Sequence, residues 1–402
     1  MQTVKLNNDI ELFYKQNKDT PRIALCFNFS MNKEPKKAGV QSLMTRLLMQ
    51  GTKNYTAEEL AAELDKYAIE FSAEIKLDYL KLKFLCLNED FEKAVEILED
   101  IIKNTTFKDL EKEKLKLKGE IEADMDSPKT KVVDNYYKTL YANHHYGYTN
   151  SVVYENIDSI TNDEILEAYH EFMTNSKKVI AVVGDAEFNK IRKLLNDKFG
   201  NFYKSDENNA AIQAPELEEA KHIEIIKPDA KQAHIIQGWY ADTSQSEDYP
   251  ALSLLNIILG ASGLSSRLFL ELRDKKGLAY VVRSSYDIAK LCANFSIYIA
   301  TEPKNIEISL NGFKEEIEKI KTNPVSEEEL NNAKNNLFGK WAYSMEDNNR
   351  QASTYAHYGV NGLGYDFIDK AKERIKKVTP EQIQTAANKY FNDKYVISII
   401  KP

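Results

Sequence analysis

The chain has 402 residues, 43% of them hydrophobic and 10% aromatic, which is length for two or three domains and apolar surface for well-buried cores. Its 54 Lys and Arg stand against 62 Asp and Glu, and the net charge of −8 is spread along the sequence, which argues against a binder of nucleic-acid phosphates. The opening MQTVKLNNDIELFYKQ has no basic segment leading into an apolar one, and no run of about 18 uncharged apolar residues follows, so neither secretion nor membrane spanning is expected.

The first clear strand period comes at Leu80, Leu82, Phe84 and Cys86, which alternate with Lys81 and Lys83 and predict a half-buried strand. Ala94, Leu98, Ile101 and Ile102 then recur at steps of three and four, the spacing of one buried helical face. Thr105-Thr106-Phe107 interrupts before a long charged helix. Residues 160–184, ITNDEILEAYHEFMTNSKKVIAVVG, predict a helix opened by a capping box of Thr161 and Glu164 and closed by an apolar strand. The stretch KSDENNAAIQAPELEEAK, residues 204–221, is polar without an apolar period and reads as an exposed linker.

The same order then returns. Phe295, Ile297 and Ile299 mark a second half-buried strand, and Ile306, Leu310, Phe313, Ile317 and Ile320 mark a helix face. Asn323-Pro324-Val325 precedes a second charged helix. Residues 378–400, VTPEQIQTAANKYFNDKYVISII, overlay the earlier helix and strand at an offset of about 218. Ile165 meets Ile383, Ala168 meets Ala386, Phe172 meets Tyr390, and Thr379 with Gln382 supplies the matching capping box. Two homologous α+β domains follow, 1–203 and 222–402, each an antiparallel-rich sheet with helices packed on one face. A duplicated pair of this kind builds a groove or clamp.

Several chemistries lack their usual signals. There is no G-x-x-x-x-G-K-[ST], no G-x-G-x-x-G and no G-x-S-x-G. The histidines are His144, His145, His170, His222, His234 and His357, none forming an i, i+4 pair with an acid placed to make a zinc helix, so no metal site is expected in this chain. Cys26, Cys86 and Cys292 lie far apart with no C-x-x-C, as small buried hydrophobes of a reducing compartment such as the bacterial cytoplasm would.

Two segments carry a specific resemblance. Residues 39–73, GVQSLMTRLLMQGTKNYTAEELAAELDKYAIEFSA, resemble the signature segment of the pitrilysin/insulinase metallopeptidases, whose helix just before the phrase similar to Gly51-Thr52-Lys53-Asn54 carries the zinc motif H-x-x-E-H with its glutamate as general base. Here those positions read Ser42, Thr45 and Arg46. A serine hydroxyl is a poor zinc ligand, a threonine cannot take a proton from water near neutral pH, and an arginine puts a permanent cation where a dication would bind. The family's third ligand is a glutamate, and KGEIEADMDSP, residues 118–128, is similar to its surroundings, with Glu120 at the matching position. Set beside Glu122, Asp124 and Asp126, Glu120 reads from sequence as part of a solvated helix face and is assigned no metal.

The second segment is LGASGLSSRLFLELRDKKGLAYVVRSSYD, residues 259–287, which resembles the family phrase S-R-L-x-x-x-L-R-x-x-x-G-L-x-Y. The resemblance gives Arg273 and Tyr280 the task of holding the substrate backbone or the oxyanion forming on it. A guanidinium and a phenol are donors suited to a carbonyl gaining negative charge. Composition alone equally allows a surface pair of Arg273 with Glu271 or Asp274, and a core position for Tyr280. Arg267 reads as fixing the helix that carries Arg273, Ser265 and Ser266 as that helix's cap, and Gly260 and Gly263 as giving the preceding turn its freedom. His144-His145-Tyr146-Gly147-Tyr148 resembles the family's His-Pro-Tyr-Gly phrase, with His145 in place of the proline. Adjacent histidines point apart on a helix or strand, so the expected role is turn packing and not a shared metal.

An erased zinc helix beside a retained Arg/Tyr pair is what the non-catalytic, substrate-binding subunit of a heterodimeric pitrilysin-like peptidase would carry, similar to the bacterial and mitochondrial processing peptidase-like branch. The resemblance then implies a zinc-bearing partner, no cofactor in this chain, extended peptides or unfolded segments as substrate, and no nucleic-acid or membrane partner. The alternative is a stand-alone peptide-binding or assembly pseudoenzyme. An active enzyme with an unfamiliar site has no nucleophile and base in its support.

Overall fold

Successive side chains on the central strands point to opposite faces of each sheet, and both faces find cover. The computed structural model describes residues 1–202 and 212–402, so the linker read at 204–221 lies outside the described residues as far as residue 211. The chain forms two compact units, one made of Met1–Glu120, Val153–Ile212 and Tyr343–Tyr365, the other of Ile121–Val152, Gln213–Ala342 and Asp366–Pro402. These cut across a linear division at the linker, because each sequence half gives one segment to the other half's unit.

The first unit holds strands β1 (Gln2–Lys5), β2 (Glu11–Gln16), β3 (Arg22–Ser30), β4 (Glu70–Ile75), β5 (Tyr79–Leu87) and β6 (Lys178–Gly184) in the order β1-β2-β6-β3-β5-β4. Only β2 and β6 run parallel. Leu25, Phe27, Leu82, Phe84 and Ile180 face a core completed by Leu43, Leu98, Ile101, Ile165 and Leu195 from four helices. The capping box at Thr161 is formed as expected. Ala24, Cys26, Ala181 and Val183 point the other way and are covered by Ala352, Tyr355 and Ala356 of the Asn348–Val360 helix.

The second unit repeats the plan with β7 (Lys221–Ile226), β8 (Ala233–Ala241), β9 (Ala279–Ile288), β10 (Ala293–Thr301) and β11 (Val396–Lys401), ordered β7-β11-β8-β10-β9. Phe295, Ile297 and Ile299 meet Phe313, Ile317, Ile320 and Ile383 on one face. On the other, Ile236, Tyr298 and Ala300 meet Val132, Tyr136 and Leu140 of the Pro128–Leu140 helix. This corrects the expectation of a half-buried strand at residues 295–299: β10 is buried along its whole length, since a helix lies on each side. Among the described residues no helix is long and apolar enough to cross a membrane.

One buried charge stands out. Lys178, at the start of β6, is 4% exposed and its ammonium donates only to the Ser176 carbonyl, at 3.0 Å. Burial pulls its pKa down to about 8. Between that value and the ordinary lysine range the unfolded chain holds a proton that the folded chain has lost, so this contribution to stability rises with pH through that window and its cost is full below it. Lys178→Met should therefore stabilise the protein by about 2 kcal/mol at pH 7, with the gain fading by pH 10 to 11. Urea unfolding at both pH values measures this, and equal stabilities at pH 7 would mean that the ammonium is solvated.

Candidate functional site

The Val40–Leu47 helix presents Ser42, Thr45 and Arg46 beside the Leu110–Met125 helix. Glu113 and Glu120, seven residues apart on the latter, fall two turns apart on one face. Arg46 spans both. Its Nε donates to Glu113 Oε2 at 3.2 Å, its Nη1 to Glu120 Oε2 at 3.0 Å, and its Nη2 to Glu120 Oε1. Lys116 adds a bond from its ammonium to Glu113 Oε1 at 2.6 Å. Thr45 is turned inward on its own helix, donating to the Gln41 carbonyl at 2.7 Å.

Glu113 has a side chain only 3% exposed, whereas that of Glu120 is 56% exposed. The bond to Arg46 lowers the Glu120 pKa, and the bond to Glu120 in turn raises that of Arg46. Glu120 is thus an exposed carboxylate, as the sequence suggests, and also the partner of Arg46. Glu113 went unnoticed there, although its heptad spacing from Glu120 was a usable signal.

A zinc ion requires lone-pair donors, and this set offers few. A guanidinium has none, the Thr45 hydroxyl is engaged, and both oxygens of Glu120 accept from Arg46. The residues at this locus do not fit the metal; the arginine supplies the positive charge itself.

Truncating Arg46 would strip Glu113 of one of its two cationic partners at a buried position. Arg46→Ala should destabilise the first unit by about 2 kcal/mol, within the range for leaving a buried charge under-compensated. Chemical unfolding reads this directly, and a loss of only a few tenths would mean that Lys116 alone satisfies Glu113.

The second candidate site belongs to the other unit. Two successive π-helical segments, Ile257–Ala261 and Phe269–Lys275, flank the turn at residues 262–266. Such segments cluster at functional positions because the wider turn displaces side chains from ordinary helical register. Arg267 anchors the second segment through a two-pronged bond to Glu329, at 2.8 and 2.7 Å, as its expected structural role requires. Ser265 and Ser266 do not cap it. The Ser266 hydroxyl donates back to the Gly263 carbonyl at 2.8 Å and Ser265 bonds Ser262, because the turn's own carbonyl lies nearer than the helix amides. Gly263 adopts a left-handed φ of 76°, whereas Gly260 is needed for close approach: a Cβ there would lie 2.2 Å from the Ser284 nitrogen.

Among the described residues Arg273 meets no carboxylate. Glu271 is taken by Lys275, and the Arg273 guanidinium lies over two rings, 4.5 Å from the centre of Phe269 and 4.8 Å from that of Tyr280. Tyr280 is 77% exposed, on edge strand β9, and is not a core aromatic. Stacking uses the faces of the guanidinium and leaves its in-plane N–H groups for an acceptor. Phe269 was missed by sequence reasoning, yet it sits four residues before Arg273, the interval that brings side chains together on a helix.

At the His144-His145 turn the imidazoles do not point apart. Their ring centres are 4.3 Å from one another, because the segment is a tight 3₁₀ turn and not a strand or α-helix. The His144 Nδ1 accepts the Tyr146 amide at 3.1 Å, which is turn packing.

Comparison with known proteins identifies the family. Residues 10–151 match the family model for insulinase, peptidase family M16, and residues 159–337 match that for the peptidase M16 inactive domain. An uncharacterized zinc protease of Bacillus subtilis is 26% identical over 380 residues, covering 93% of this chain and 90% of that protein. In fold, the chain is similar to a peptidase M16 inactive domain from Pseudomonas fluorescens, with TM-score 0.90, 22% identity and coverage of 100% of this chain and 98% of that one. It is equally similar to a protease from Helicobacter pylori, with TM-score 0.91, 21% identity and coverage of 100% and 99%. With two family models spanning most of its length and Ser42, Thr45 and Arg46 where the zinc motif would stand, the chain belongs to the pitrilysin-like M16 peptidase family and lacks that family's catalytic motif.

Proposed function

We propose that this protein is the non-catalytic, substrate-binding subunit of a heterodimeric peptidase, paired with a family member that retains H-x-x-E-H and brings the zinc. The observation that carries the reading is the contrast between the two sites: Arg46 is consumed by Glu113 and Glu120, while Arg273 lies against an exposed Tyr280 and has no ion pair among the described residues. The first arrangement supports loss of hydrolysis in this chain. The second supports a role in holding a peptide backbone, since a stacked guanidinium and a phenol can both donate to carbonyl oxygen. Extended peptides or unfolded segments are the substrate class.

Gentle purification of the tagged chain from its own cell, with mass determination of what stays bound, tests the proposal. A partner of similar length carrying H-x-x-E-H, whose peptidase activity falls when this chain is removed, is the expected result. A zinc-bearing partner equally active alone would falsify the reading. Recovery of the chain alone, or paired with itself, would favour a peptide-binding pseudoenzyme in the cytoplasm.

A further inference from the structure

A group of cations on the second unit has no part in either site described above. Arg283 on β9 stands directly across from Tyr298 on β10, and its guanidinium lies 5.8 Å from the Tyr298 ring centre. Lys129, in the first turn of the Pro128–Leu140 helix, places its ammonium 6.0 Å from the same centre. His234 on β8 joins the hydroxyl of Tyr298 through Nδ1 at 2.8 Å. Tyr298 itself is 6% exposed and forms the floor, while Lys129 and Arg283 are both exposed.

Neither Lys129 nor Arg283 has a carboxylate within ion-pair distance among the described residues. The acid nearest in sequence on the same face of β9, Asp287, accepts from the Tyr137 hydroxyl at 3.0 Å. Arg283 and Asp287 attract one another through space without a direct bond, so this pair of cations is only partly compensated. The Lys129 charge also lies at a helix N-terminus, where the backbone dipole adds to the positive potential.

We propose that Lys129 and Arg283, set about the Tyr298–His234 pair, form a binding site for a carboxylate of an acidic peptide. A planar guanidinium matches a carboxylate with two parallel bonds, and the ammonium adds a further charged donor. The assignment rests on the reading of this chain as a peptide holder and adds to it a preference for acidic sequence.

The test is fluorescence anisotropy on the full chain with two peptides of equal length, amidated at the C-terminus and carrying a neutral dye, one with glutamates and the other with glutamines at the same positions. The glutamate peptide should bind about fivefold more tightly at low salt, the scale of exposed charge pairs, with the difference shrinking as salt rises. Lys129→Gln with Arg283→Gln should abolish the difference and leave the thermal midpoint unchanged, because both side chains are exposed. Equal binding of the two peptides by the unaltered chain overturns the site while the peptide-holding reading stands. A preference that survives the double substitution also overturns the site, and no binding of either peptide overturns both.

Discussion

In the proposed heterodimeric peptidase, Arg273→Ala should lower kcat/KM by about a hundredfold, the scale seen when one donor to a developing oxyanion is removed. The guanidinium already lies against the rings of Phe269 and Tyr280, so its N–H groups need little reorganisation to meet a substrate oxygen. Arg273→Lys should recover only a small part, because an ammonium neither stacks nor offers a planar pair of donors. Phe269→Leu and Tyr280→Phe separate the contributions. The former loosens the stack and should mostly raise KM, whereas the latter keeps the ring, removes one donor and should act on kcat if the phenol meets the reacting carbonyl. Steady-state kinetics of the complex with each variant, alongside thermal midpoints, make the measurement. Unchanged kinetics in Arg273→Ala would remove this residue from the substrate site.

The largest effect on stability is expected from Gly238→Ala. A Cβ at this position would come within 2.0 Å of the Tyr136 hydroxyl and 2.8 Å of the carbon bearing it. Tyr136 cannot swing aside: it is fully buried and its hydroxyl bonds to Asn294, which is itself held by Tyr141. Accommodating one methyl therefore means moving the Pro128–Leu140 helix off the sheet, at a cost of about 3 kcal/mol or more. Tyr136→Phe should return part of that cost in the double variant, since the closest atom is gone, and this coupling is what distinguishes a steric clash from a general loss of glycine freedom. Additive losses in a double-mutant cycle would refute the clash.

Much of the fold was readable because period and cap chemistry are local. Leu80, Leu82, Phe84 and Cys86 face one core as their alternation predicts, and the capping boxes at Thr161 and Thr379 form as written. Long-range choices were not readable. Val132, Tyr136 and Leu140 mark a helix face at steps of four, as do Ala352 and Ala356, but nothing in either pattern says which sheet the helix will cover. That is why β10 was expected half-buried and proved buried throughout. The candidate sites divide in the same manner. The loss of the zinc ligands was visible in Ser42, Thr45 and Arg46, whereas the bridge from Arg46 to Glu113 and Glu120 depends on two helices meeting. Ser266 was misread because hydroxyls before a helix usually cap it, and here a closer carbonyl wins.

The exchange of segments between the sequence halves also sets an order on the emerging nascent chain. The first unit is incomplete until Tyr343–Tyr365 arrives, although its last strand ends at Gly184. Throughout synthesis of the intervening residues, the side of its sheet bearing Ala24, Cys26, Ala181 and Val183 lacks Ala352, Tyr355 and Ala356. A sheet that forms during synthesis would therefore carry an apolar surface until that helix is translated, the kind of intermediate that chaperones hold. The two sequence halves made as separate fragments, split at the linker, would each lack a piece encoded in the other.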